Sequence, residues 1–117
     1  MVLELDSLTK LGRVESEFEV VKGLKITLHT LSMEAQHRAL TSVPATLNDA
    51  TGQFHHLQRA LLVEATELVN DVKATKEELV KFYSELQESI FQEIASHYTT
   101  LLQSQNEILD SLKKRIN

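Results

Sequence analysis

The chain has 117 residues, no cysteine, a single proline and a net charge of −5. This length suits one domain. The missing cysteines exclude disulfide and thiolate chemistry, and the acidic balance argues against a general nucleic-acid binder, which would carry a basic surface.

Residues 1–12 alternate like a strand at Val2–Leu5 but also fit a short helical turn, and Gly12 ends either form. Glu4 and Asp6 with no long apolar run do not make a signal peptide. The stretch "VESEFEVVKGLKITLH" predicts a β-hairpin. Val14, Ser16, Phe18 and Val20 share one strand face, as do Leu24, Ile26 and Leu28. A three-residue loop, Val21-Lys22-Gly23, sets Val20 opposite Leu24, Phe18 opposite Ile26, Glu19 opposite Lys25 and Glu15 opposite His29. Gly23 then takes the left-handed position such loops favour. The other face carries Glu15, Glu17 and Glu19, a solvated row or one that seeks a basic partner.

Ser32 is placed as an N-cap with Glu34 in the first turn. The helix behind it should run from Met33 to about Val43, since Pro44 disfavours helical geometry before it. Ala35, Ala39, Leu40 and Val43 form its apolar side. Pro44 to Gly52 is a connector rich in turn residues. A second helix is predicted from near Gln53 to Asn70–Lys73, with Phe54, Leu57, Leu61, Ala65, Leu68 and Val72 at helical spacing. Thr75 and Glu78 then form a capping box, with Ala74 and Leu79 placed as its staple.

From Leu79 the apolar period holds to Ile116 without Gly or Pro. Its step is close to a heptad. A single helix from Lys76 to Lys114 would be about 58 Å long, so the chain either folds back near Gln87–Ser89 or projects. Lys113 to Arg115 would lie in its last turn, where cations complement the helix dipole.

Chemistry is sparse. Five histidines occur, but none forms a metal-ligand motif, and adjacent His55 and His56 point in different directions on a helix. The three glycines are isolated, so there is no phosphate loop, and no nucleophile elbow occurs. No catalytic residue, cofactor or metal is expected. Tyr83 and Tyr98 are expected at packing edges with wet hydroxyls. No segment approaches the roughly 20 apolar residues of a membrane span.

Three stretches carry a family resemblance. "FEVVKGLKITLHTLSMEAQHRAL" leads a strand into an acidic helix start. "LQRALLVEATELVND" looks like a helix ending at a small turn. "ATKEELVKFYSELQESIFQEIASHYTTLLQSQNEIL" looks like a capped short helix before a longer one with a Tyr98–Leu101 step. Across about residues 14–110 the chain resembles the small baseplate-hub assembly proteins and assembly chaperones of contractile-tailed bacteriophages. It departs from them at His29-Thr30 and Gln87, where that family often has Pro, and at Asn70-Asp71, where it often has Gly. The resemblance implies no catalysis. It implies a place at the tail tip in the virion, reached from the host cytoplasm, with contacts to hub and tape-measure proteins.

The expected fold is α+β and mainly helical, a single domain over 1–117. Residues 1–31 hold the N-terminal segment and hairpin; residues 32–117 hold three or four helices, the last one long. The expected mode of action is surface burial. The hairpin would extend a partner's sheet through its edges, and the long helix would offer a stripe to other helices, including copies of itself. The residues expected to meet partners are Phe18, Val20, Ile26 and Leu28 of the hairpin and Phe91, Ile94, Tyr98, Leu101, Ile108 and Leu112 of the last helix. A transient chaperone of the tape-measure protein and a generic helical adaptor are the alternatives.

Overall fold

The computed structural model describes residues 12–114, and the strand or turn expected at Val2–Leu5 lies outside them. Strands β1 (Glu15–Val21) and β2 (Leu24–His29) form the expected hairpin. Glu15 pairs with His29, Phe18 with Ile26 and Glu19 with Lys25. Gly23 turns the chain with φ +93°, a region that disfavours side chains bearing a Cβ. The loop itself differs from expectation. Val21, not Val20, stands opposite Leu24, and a bulge between Glu19 and Val21 takes up the extra residue. A bulge leaves one residue unpaired without disturbing the ladder beyond it, which is why the rest of the register holds.

Helix α1 (Met33–Thr41) starts where expected. The Ala35 backbone N–H donates to Ser32 Oγ at 3.2 Å. It stops two residues short of Val43, with Ser42 as its C-cap. Helix α2 (Ala50–Ala65) begins earlier than Gln53, because Asp49 accepts from the N–H groups of Thr51 and Gly52 at 3.2 and 3.1 Å. Its buried side is centred on Leu62, Val63 and Ala65, and Phe54 is exposed.

The predicted helix over residues 66–70 is corrected. Thr66 turns to extended geometry and Thr66–Val69 forms strand β3, antiparallel to β2. The sheet order is β1-β2-β3, so β2 is central. A hairpin alone is marginal in water, and the third strand that supports this one comes from its own chain. After β3, Asn70 and Asp71 take left-handed conformations (φ +49° and +65°). Val69 and Val72 exchange backbone hydrogen bonds of 2.9 and 3.0 Å across them. Two consecutive left-handed residues make the tight turn favoured between antiparallel segments. Asn and Asp tolerate this backbone region better than other residues with a Cβ.

Helix α3 (Lys76–Glu85) begins with the predicted capping box. The Glu78 N–H donates to Thr75 Oγ1 at 3.2 Å, and the Thr75 N–H donates to Glu78 Oε1 at 3.0 Å. The chain folds back at the expected place without a proline: Leu86 is extended, and α4 (Glu88–Lys114) follows. One core joins all the layers. Ile26 and Leu28 of the sheet, Leu62 and Ala65 of α2, Leu79 and Tyr83 of α3, and Phe91, Ile94 and Leu101 of α4 are buried together.

Candidate functional site

The structure separates the ten residues expected to meet partners. Ile26, Leu28, Phe91, Ile94, Tyr98 and Leu101 are buried in the chain's own core, and Phe18 and Val20 pack against it. Phe18 is further covered by the His97 ring, stacked with centroids 3.8 Å apart. The six buried ones serve folding, because a partner cannot reach a side chain that the chain itself encloses; Phe18 and Val20 are half-buried. Ile108 is exposed. The Leu112 side chain lies outside the described ones.

The expected wet hydroxyl is corrected for Tyr83. Tyr83 is buried and its hydroxyl lies 2.6 Å from Thr66 Oγ1. Thr66 Oγ1 donates its own hydrogen to the Leu62 carbonyl at 2.6 Å, so Tyr83 is the donor to Thr66. Burial pushes the Tyr83 hydroxyl up to about 12, and it also raises that of Tyr98.

The sheet's outer face does not present a bare acidic row. The Lys25 ammonium reaches past Glu19, its cross-strand neighbour, to Glu17 at 2.8 Å and Asp71 at 2.6 Å. Hydrogen bonds that it donates to Asp71 and then to Glu17 hold that ammonium well above the usual lysine range. Glu67 meets Arg13 and His29, each at 3.6 Å, and Arg13 also approaches Glu15 at 3.9 Å. These pairs are exposed and contribute little to stability, but they satisfy most of the row locally. With β3 on one side of β2, the free edge of the hairpin is reduced to the outer side of β1. The charges along β1 discourage further strand pairing there.

What remains open is the far half of α4. This helix has 27 residues, or about 40 Å at its usual rise. Its apolar side is enclosed as far as Leu101, which is 4% exposed; Ile108 and Leu109 are each 41% exposed. Between them, Gln105 Nε2 donates to the Gly12 carbonyl at 3.1 Å, fixing where the chain entering the hairpin crosses the helix. Among the described residues no group of three or more His, Cys, Asp or Glu is placed to hold a metal ion, and no described helix is long and apolar enough to cross a membrane. No family model, curated protein or solved structure matches this chain.

Proposed function

We propose that the chain is a non-enzymatic assembly protein of a bacteriophage tail. It would be a baseplate-hub component that joins hub and tape-measure proteins, or copies of itself, through the C-terminal half of α4. The tail assignment is supported by the residue pattern over about 14–110. The mode of action is supported by one observation: the apolar period of α4 continues past Leu101, where its own core ends, to exposed Ile108 and Leu109. Apolar side chains in series on a helix gain free energy when a second surface removes them from water. The protein works in the virion tail and, during assembly, in the host cytoplasm, with no membrane or nucleic-acid partner.

The test is the double variant Ile108→Glu/Leu109→Glu, made in the phage and also as isolated protein. Co-purification with the other tail proteins should be lost while the circular dichroism of the isolated variant is kept, since both carboxylates stay hydrated in the free chain and are buried unpaired in a complex. Normal assembly of the variant sinks the proposal. Unfolding of the isolated variant assigns the stripe to the chain's own core. Presence of the wild-type chain in purified virions separates a hub component from a chaperone that leaves, and the neighbouring genes separate both from a generic adaptor.

A further inference from the structure

Helices α1, α2 and α3 enclose a cleft of about 250 Å3 that contains no residue of α4. Its apolar lining includes Ala39, Val63 and Val80, and its cations are Arg38, Arg59 and Lys76. The carboxylate among its lining residues is Glu64, with a side chain only 10% exposed. Glu64 is already used. Arg38 donates to its Oε1 through Nε at 2.9 Å and through a terminal nitrogen at 2.8 Å, and Lys76 Nζ lies 3.5 Å from its Oε2. Glu34 also approaches Arg38 at 3.4 Å from the rim, so three cations against these two carboxylates leave the cleft at +1, in a chain whose net charge is −5.

Arg59 is the unmatched member. It is half-buried, lines this cleft and the adjoining one beside α4, and makes no ion pair among the described residues. Glu88 lines the adjoining cleft but does not pair with Arg59, so the planar donors of this half-buried guanidinium stay available for a carboxylate in a two-point contact. We infer that this cleft binds an acidic-aliphatic peptide segment of a partner protein, with a carboxylate on Arg59 and a neighbouring aliphatic side chain on Val63 and Val80. Glu64 in the wall favours a singly charged carboxylate over a doubly charged phosphate, because each added negative charge meets its repulsion. The inference rests on the reading of the chain as a protein that joins other proteins, but not on α4.

The test is a titration of the full chain with acetyl-Leu-Glu-Leu-amide, followed by backbone amide NMR. The Glu peptide should shift Ala39, Arg59 and Val80, and the matching Gln peptide should bind about tenfold more weakly, the worth of one charge-assisted hydrogen bond. Arg59→Met should weaken the Glu peptide to the level of the Gln peptide, and Arg59→Lys should recover part of the loss. Equal binding of the two peptides overturns the inference, as does an Arg59→Met chain that binds like wild type. Inorganic phosphate binding at Arg59 as strongly as the Glu peptide overturns it in favour of a free-oxyanion site. If Arg59→Met fails to fold, the two peptides on the wild-type chain decide the matter. The Ile108→Glu/Leu109→Glu chain should bind the peptide normally, so failure of the α4 interface and failure of the cleft are read separately.

Discussion

Asn70 does two things that no other residue type does together. It accepts a left-handed backbone with φ +49°, and its side chain ties the end of β3 to the start of β2. The Lys25 N–H donates to its Oδ1 at 2.8 Å, and its Nδ2 donates to the Gly23 carbonyl at 3.1 Å. Asn70→Ala loses both, and the expected cost is about 2 kcal/mol in urea denaturation. Asn70→Gly restores the backbone but not the bonds and should cost about half as much. Equal costs would mean that the left-handed backbone contributes nothing, and no cost for Asn70→Gly would mean the same of the side-chain bonds. Thr66 offers a second contrast. Tyr83→Phe removes a donor and leaves Thr66 still bonded to the Leu62 carbonyl, for about 1 kcal/mol. Thr66→Val strands the buried Tyr83 hydroxyl and should cost more, about 2 kcal/mol. The reverse order would show that Tyr83 is not the donor.

Among the elements, α3 tests its own cap. Thr75→Ala should destabilise the chain by about 1 kcal/mol, the usual cost of losing an N-cap hydroxyl. The carboxylate half of the same box depends on pH. The hydrogen bond from the Thr75 backbone, and then that with its side chain, holds the Glu78 carboxyl below its ordinary 4.5. A depressed folded value gives stability that is fully present above the unfolded value and is lost as pH falls through the folded one. The Glu78 half of the box therefore fades below about 4.5 in wild type and in Thr75→Ala alike, because the substitution keeps the backbone N–H. Most of the gap left by the Thr75 hydroxyl should persist in acid denaturation, and convergence there would show that the two halves of the box depend on each other. The sequence showed this box because both of its residues are local to the helix start. It did not show β3. Leu61, Ala65, Leu68 and Val72 keep a helical step straight through the strand, so periodicity alone reads as helix. The competing signal was β-branched Thr66 and Val69 before the turn pair Asn70-Asp71. What decides between them is the free edge of β2, which is distant in sequence.

At the scale of the whole molecule, the apolar stripe of the last helix was legible, but which part of it stays outside was not. Leu101 and Ile108 read alike in the sequence. Only the packing of α4 on the sheet and on α2 encloses one and leaves the other. Likewise, the cations of the α1–α2–α3 cleft are scattered from Arg38 to Lys76 and form a cluster only after folding. The division of α4 predicts that a chain ending after Gln105 keeps a single cooperative thermal transition, losing about 1 kcal/mol or less, because local stability follows buried contacts. Loss of cooperativity would place the helix end inside the folded core.

The late position of β3 also bears on synthesis. The β1–β2 hairpin leaves the ribosome first, but Ile26 and Thr27 must wait for Val69 and Leu68 to emerge. Pairings distant in sequence form slowly, and unpaired strand edges are adhesive in the interval. A nascent chain stalled before Thr66 should therefore recruit holdases that bind extended apolar segments, and one released past Val72 should not.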